Sequence, residues 1–575
     1  MKKTGAWLVV NALEQLPISH TFGVPGVHNT EIYDELNKSK KITPILVTHE
    51  GGGAFMADAV SRTSNNIGTL VIVPAAGVTH ALSGIGEAFL DGIPMLIISG
   101  GIRLDVKKSY QLHEWDMHSV LSGITKKTYH IKKHEDIMPS IFEAYHIAIS
   151  GNPGPVFIEV PADIQLFKGD VSEIPFYKKP ETKPVVLGPQ IDEAIRIISE
   201  SKKVGLFLGW GAKEATAISV QIAEKLHAPV STTLQGFSVF PGDHDLFTGM
   251  GFGPASVPAS ENAFKDVDCL IAVGTRFAEI PTGSFSAKVP ENLIHIDIDE
   301  HVFDKNYQSK LAIQGDAKQV LESLLTELTK RNIEKTHPKL ISSIAKDKQA
   351  YYKEWADYKF DRVNPYHFFK SLRQHLDDDA ITVVDDGNHT FLTVELFKNL
   401  KSKHLISPTD FNCMGYCVPA AIGAKFVNPN KQVIGIVGDG AFLMTGLELL
   451  TAKRNQLGLV IFVFHDGELS QISQGQEIPY NRKTSTVIGD FNIDGIAHAV
   501  GADYLVIEND AQIDNVISTA LQAAKLNKTV LVDVHIDYKK RTRFTKGVVK
   551  SVLANFPFND KVRFIGRAIK RNILG

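Results

Sequence analysis

The stretch Val433–Gln476 reads VIGIVGDGAFLMTGLELLTAKRNQLGLVIFVFHDGELSQISQGQ. Val433 to Val437 is a short, β-branched apolar run closed by Gly438, Phe442 to Lys453 carries apolar residues at helical spacing, and Leu459 to Phe464 is a second apolar run. The order is strand, helix, strand, a βαβ unit whose strand ends present ligands at the carboxyl edge of a parallel sheet. Two acids stand at those ends, Asp439 in GDG and Asp466 in HDGE, 27 residues apart. A side-chain oxygen at each strand end and a backbone carbonyl two residues after the second can wrap a small hard cation. The turn of Gly438 and Gly440 lets the backbone approach a diphosphate at a helix N-terminus. The pair therefore reads as a magnesium diphosphate site, whereas a GDG standing alone would be only a tight turn.

GDG followed after about this interval by Asn-Asn or Asn-Asp is the thiamine diphosphate fingerprint, and the chain resembles the acetolactate synthase-like branch of the thiamine diphosphate-dependent 2-oxoacid enzymes. The resemblance implies thiamine diphosphate and Mg2+ as cofactors. It makes Asp439 and Asp466 side-chain ligands of the metal, Glu468 a ligand through its carbonyl, and Gly438, Asp439, Gly440 and Ala441 neighbours of the diphosphate. His465 departs from the pattern, standing where the family has its first Asn.

Other motifs extend the resemblance. HEGGGAFMADAVSR (His49 to Arg62) places Glu50 at a strand end before a helix, where a carboxylate is favoured as a cap. In the family this Glu contacts N1′ of the cofactor's aminopyrimidine, which makes Glu50 the expected catalytic carboxylate. Gln111 matches the Gln on the loop reaching the thiazolium face; His113 and His118 are its histidine neighbours. Gly387, Asn388 and His389 of DDGNHT match the diphosphate-side loop. In DFNCMGYCVPAAIGAK (Asp410 to Lys425), Met414 matches the bulky wedge beneath the cofactor, and the Asn412 carbonyl is expected to accept from its 4′-amino group. The turn usually written Gly-Pro-Gly is Ala75-Ala76-Gly77 here, with His80 in the place of an Asn. Val27-His28 resembles acyloin lyases and 2-hydroxyacyl lyases; His28 is either a proton relay to a substrate hydroxyl or a cap on the following helix.

At 575 residues with 43% hydrophobic and 22% charged side chains, the composition is globular and has room for three to four domains. The motifs divide it into an α/β architecture of three doubly wound parallel-sheet domains: a pyrimidine-binding domain with its linker over 1–185, a middle domain over 186–345 and a diphosphate-binding domain over 346–540. Ile174 to Pro189 reads as the linker, rich in Pro and Lys. In the middle domain GTRF (Gly274 to Phe277) resembles a flavin-type segment, but the following AEIPTG departs from it, so a flavin is possible and not favoured. Cys269, Cys413 and Cys417 show no metal spacing and no disulfide framework, which suits a reducing compartment. The N-terminus lacks a cleavable leader pattern, and a cytoplasmic location is expected.

The net charge of −3 is unevenly spread, for Lys539 to Gly575 holds eleven Lys or Arg against Asp560 alone, +10, which leaves −13 elsewhere. In this basic tail, 541–575, Val562, Ile565, Ile569 and Ile573 recur at helical spacing. Such a helix either docks on the acidic remainder or makes peripheral contact with an anionic membrane.

The expected activity is a decarboxylating carboligase acting on a 2-oxoacid and a carbonyl acceptor, with acyloin or 2-hydroxyacyl lyase as the alternative. A reading of another class is a cofactor-binding, membrane-associated or regulatory subunit. The expected partners are a small 2-oxoacid or aldehyde and further copies of the chain in a homodimer or homotetramer; no nucleic acid is expected.

Overall fold

Three six-stranded sheets, all parallel, carry the chain, and the computed structural model describes residues 1–180, 188–489 and 491–574. Each is built from short runs such as Leu459–Phe464 (LVIFVF) and Cys269–Val273 (CLIAV), apolar at every position because helices cover both sheet faces. This is the three-sheet α/β architecture expected from the sequence.

In the first sheet the spatial order is Thr43–Leu46, His20–Gly23, Gly68–Ile72, Met95–Gly101, Pro155–Pro161, Lys127–His130. The second runs Phe247–Met250, Val230–Thr232, Val204–Leu208, Cys269–Val273, Asn292–Asp297, Leu311–Gln314. The third runs Leu405–Ile406, Ile381–Val384, Val433–Gly438, Leu459–Phe464, Thr529–Val534, Asp503–Ile507. In the third, the chain leaves Ile381–Val384 to one side and returns to the other with Val433–Gly438, so a crevice opens at their carboxyl ends. The first sheet has the same reversal between His20–Gly23 and Gly68–Ile72.

The first and third units pack through helices Glu50–Thr63 and Cys417–Val427. Their backbones approach closely at Gly423, where an added Cβ would lie 2.3 Å from the Met56 carbonyl oxygen. Beside this contact lies a fully buried charge network. Arg62 donates to Asp58 at 2.6 Å and to Asp91 at 2.9 Å, and the Tyr416 hydroxyl donates to Asp58 at 2.6 Å.

The helix expected over Phe442 to Lys453 is broken in two. It runs Asp439–Thr445, tightens into a 3₁₀ turn at Gly446–Glu448 and resumes as Leu449–Arg454. The Phe442 ring occupies the space a side chain at position 446 would need, with an added Cβ 2.8 Å from it.

The linker expected over 174–189 lies partly outside the described residues. The basic tail forms two helices, Arg543–Asn555 and Phe558–Leu574. Phe544 stacks on Phe391 at 4.1 Å, and Glu395 accepts from the Phe544 N–H at 2.8 Å, which fastens the first. The second lies on helix Ser470–Tyr480, where the Arg571 guanidinium donates to the Pro479 carbonyl at 3.2 Å. Its apolar stripe stays half exposed, Val562 at 54%, Ile565 at 45% and Ile569 at 54%; the Ile573 side chain is outside the described residues. Among the described residues, no helix is long and apolar enough to cross a membrane.

Candidate active site

A cavity opens in the third sheet's crevice. Its floor is the three central strand ends: Asp386 to His389, Gly438 to Ala441, and Phe464 with Asp466 and Glu468. Met414, residues 469–472 and Tyr538 close its sides. Every residue expected at the diphosphate or the metal lines this space, as does Met414; Asn412, expected at the cofactor's amino group, does not.

Asp439 begins helix Asp439–Thr445 and is buried. One carboxylate oxygen accepts from its neighbour Gly440 at 2.7 Å; the other accepts from the N–H groups of Asp466 at 3.1 Å and Gly467 at 2.6 Å. It therefore aligns the second strand end while facing the cavity. Burial raises the Asp439 carboxyl above its usual range, opposed by these three N–H donors. The Asp466 carboxyl is pushed up to about 7, first by burial, against the Ser470 hydroxyl that donates to it and together with repulsion from Asp439 and Glu468.

The Glu468 side chain turns to Lys483 at 2.7 Å and accepts from Ser473 at 2.7 Å. The adjoining strand bridge uses the Gly467 carbonyl and the Leu469 N–H, and neither bond occupies the Glu468 carbonyl. Two carboxylates whose charge is disfavoured, Asp439 buried and Asp466 partly so, with a main-chain oxygen beside them, form a hard oxygen donor set suited to a small divalent cation.

Among the described residues, three side-chain atoms at the cavity have no hydrogen-bond partner: Asn388 Nδ2, His389 Nε2 and Gln471 Oε1. Buried polar atoms without partners are uncommon, and these three fit a polar ligand. Burial lowers His389 to about 3, so its ring is neutral. Asp386, raised to about 6 by burial, also lines the cavity, and its carboxylate accepts from the Asn412 side chain. Asp386 and Tyr538 were missed from the sequence; the doubled acid of DDGNHT was a visible signal for the first, while nothing local marks the second.

The loop bearing Met414 is held from both sides. Asp385 accepts from the Gly415 N–H at 2.9 Å and the Cys417 N–H at 2.8 Å. From the first unit, Glu87 accepts from the N–H groups of Thr409 and Cys413, each at 3.2 Å, and Asp91 accepts from the Thr409 hydroxyl at 2.6 Å. Asn412 itself adopts a left-handed backbone, φ 63°, which Asn tolerates better than most residues.

The catalytic candidates lie elsewhere, at the carboxyl edge of the first sheet. Glu50 begins helix Glu50–Thr63, which His49 caps by accepting from Gly51 at 3.1 Å. Its carboxylate meets His80 Nδ1 at 3.0 Å, and the His80 ring stacks on His49 at 4.6 Å. Gly77 leaves room for it, since an added Cβ would lie 3.3 Å from Glu50 Oε1. Glu448, from the third unit, accepts from the Thr48 N–H at 2.9 Å and so braces the same turn, a role that no local motif marks.

His28 is no cap: Asn29 occupies the N-cap of helix Thr30–Lys38 and its side chain accepts from Gly26 at 2.7 Å. The His28 ring lies 5.0 Å from that of His113, and its Nδ1 is buried without a partner. Burial, then repulsion from His113, lowers its pKa. Gln111 turns its amide into its own loop, donating to the carbonyls of Arg103 and Val106 at 3.2 Å each. Glu50, His28 and Gln111 all stand outside the cavity of the third sheet.

His465 accepts no place in the cavity lining; its Nδ1 lies 3.1 Å from Asp533, a carboxylate that also meets His535.

Three family models match the chain. The thiamine pyrophosphate enzyme N-terminal binding domain covers residues 3–120, its central domain 191–324 and its C-terminal binding domain 385–534. The probable acetolactate synthase large subunit of Methanocaldococcus jannaschii is 32% identical over 93% of this chain and 92% of its own length. The acetolactate synthase large subunit of Corynebacterium glutamicum is 31% identical over 84% of this chain and 78% of its own, and the isozyme 1 large subunit of Escherichia coli is 29% identical over 88% and 90%. With the cavity at the third sheet's switch point and matches that reach 93% of its length, the chain belongs to the thiamine pyrophosphate (thiamine diphosphate) enzymes, in their acetolactate synthase-like branch.

Proposed function

We propose that the chain is a thiamine diphosphate- and Mg2+-dependent carboligase that decarboxylates a 2-oxoacid and joins the acyl unit to a carbonyl acceptor. The observation that carries this reading is the facing of Asp439 and Asp466 across two strand ends, in a cavity with unpartnered polar atoms. Thiamine diphosphate, when bound, supplies a nucleophilic carbon and an electron sink. Asp439, Asp466 and the Glu468 carbonyl would hold the cation. Asn388 and His389 would donate to the diphosphate, Met414 would fill the space beneath the rings, and the Asn412 carbonyl would accept from the amino group.

Glu50 is the residue proposed to exchange a proton with the pyrimidine, through the carboxylate oxygen that His80 leaves free. It does not line its own chain's cavity, so a second copy would supply it. The working unit is then a dimer at least. Leu443, Met444 and Leu447, directly after the GDG turn, are exposed in the single chain and offer the apolar surface such a contact needs.

The second reading, an acyloin or 2-hydroxyacyl lyase, is favoured by His28, whose ring faces His113 instead of capping a helix. With its lowered pKa it is neutral near working pH and able to pass a proton to a substrate hydroxyl. A screen of the reconstituted protein with pyruvate, longer 2-oxoacids and acyloins separates the two. Release of CO2 with formation of a 2-hydroxy-2-alkyl-3-oxo acid supports the first; cleavage of acyloins without decarboxylation supports the second; turnover of neither contradicts both.

A further inference from the structure

Three metal-ligating side chains meet at the outer carboxyl edge of the first sheet. His130 ends strand Lys127–His130, and Glu159 is its register partner on strand Pro155–Pro161, so the two side chains leave the same sheet face. His118 arrives from helix Met117–Leu121 with Nε2 2.8 Å from Glu159 Oε2. Its ring lies parallel to that of His130, centroids 5.4 Å apart and planes 13° apart, and is braced on its other side by the edge of Phe157 at 5.6 Å. One ligand atom from each residue lies within 4.8 Å of the other two.

The surroundings suit a cation. The Glu159 carboxylate occupies the space beside Gly101, where an added Cβ would lie 2.6 Å from Oε1. Among the described residues, no Lys or Arg lies within ion-pair reach of Glu159, so its charge faces imidazoles alone. Helix Met117–Leu121 is fixed by Asp116, which accepts from the Ser119 N–H at 3.1 Å, and the other two ligands sit on paired strands. The backbones of the three donors are thus fixed, and binding has only side-chain rotation to order.

We propose that His118, His130 and Glu159 hold a divalent transition-metal ion of the Zn2+ class, with a fourth position open to water. Two imidazole nitrogens and one carboxylate favour Zn2+ over Mg2+, which takes oxygen donors. Zn–N distances of about 2.0–2.1 Å require the donors to close on the ion, and His130, exposed at the strand end, is free to turn inward. The ion would staple helix Met117–Leu121 to the sheet directly after the loop of Gln111 and His113. The site is separate from the proposed cofactor cavity and shares no residue with it.

Zn2+ titration of the full-length chain against a chromogenic chelator, with saturating Mg2+ holding the carboxylate site, tests the assignment. Two other groups, His49–Glu50–His80 and His465–Asp533–His535, also bring three donors together, so the comparison rests on variants. The expected result is that His130→Ala and Glu159→Gln each bind one Zn2+ fewer per chain, or bind it at least about tenfold more weakly. Co2+ substituted into the wild type should give the visible absorption of a four-coordinate site, reduced in both variants by the share of one Co2+ per chain. Equal Zn2+ stoichiometry and affinity in the wild type and in a folded His130→Ala chain would overturn the proposal.

Discussion

Glu50 and His80 are paired at 3.0 Å in a half-enclosed turn, and the pairing decides how Glu50 is used. One oxygen is engaged by the imidazole, which leaves the other to a ligand. Glu50→Gln keeps the shape and removes the proton exchange, so it should leave cofactor binding within about twofold while slowing C2 proton exchange by at least about 100-fold. NMR of the thiazolium proton measures this, and unchanged exchange would remove Glu50 from the mechanism. A second residue-scale prediction concerns pH. The Asp466 carboxyl, raised to about 7, is protonated at pH 6 and must give up that proton to a cation; at pH 8 it is already charged, and the Ser470 hydroxyl and Glu468 N–H offset its burial only in part. A folded pKa above the unfolded value of about 3.9 means that this group favours folding at low pH and loses that contribution as pH rises through 7. A cation restores it, so Mg2+ with thiamine diphosphate should raise the melting temperature more at pH 8 than at pH 6. Equal or opposite shifts in a thermal melt would count against Asp466 as a ligand. The acids themselves were legible in the sequence because metal and diphosphate chemistry is written in short local motifs. The amide of Gln111 was not, since its direction depends on carbonyls within an irregular loop.

At the scale of elements, the loop bearing Met414 is positioned from a distance. Arg62, on helix Glu50–Thr63, neutralises Asp58 and Asp91, and Asp91 with Glu87 holds residues 409–413 through side-chain acceptors. Three buried carboxyls face one guanidinium; burial first and then Asp91 raise Glu87, burial also raises Asp58, and Arg62 opposes both shifts. Removing Arg62 strands the remaining charge, a change that typically costs about 3–5 kcal/mol. Arg62→Ala should therefore lower the urea midpoint by a corresponding amount with little change in slope; a loss under about 1 kcal/mol would show the network to be solvated. This network spans more than three hundred residues of sequence, and no local pattern could announce it. The strands, by contrast, were legible as apolar runs, whereas the break in helix Asp439–Thr445 was not, because apolar spacing continues straight through Gly446. The tightening falls at Gly446, where the Phe442 ring fills the space a side chain would need, a packing fact.

On the scale of the whole molecule, the proposed catalytic carboxylate and the proposed cofactor cavity belong to different sheets, and Glu50 stays outside the cavity of its own chain. If two copies complete each other, chains carrying Glu50→Gln and chains carrying Asp439→Ala are each inactive, but a mixed dimer contains one site with both residues intact. Co-expression should recover roughly a quarter of wild-type activity, the statistical share of such sites; no recovery would place both residues in one chain's site. The three-sheet architecture was readable from the order of strand and helix patterns, while the proposed meeting of two copies would be a property of surfaces that residue patterns along one chain do not display. Beneath this lies the claim that the crevice of the third sheet binds thiamine diphosphate through a cation held by Asp439 and Asp466. Titration of thiamine diphosphate into the wild type, with and without Mg2+, against the same titration of Asp439→Ala and Asp466→Ala, tests it most directly. Saturable binding that requires Mg2+ and is lost in both variants is the expected result; binding that ignores Mg2+ or survives in either variant would contradict it.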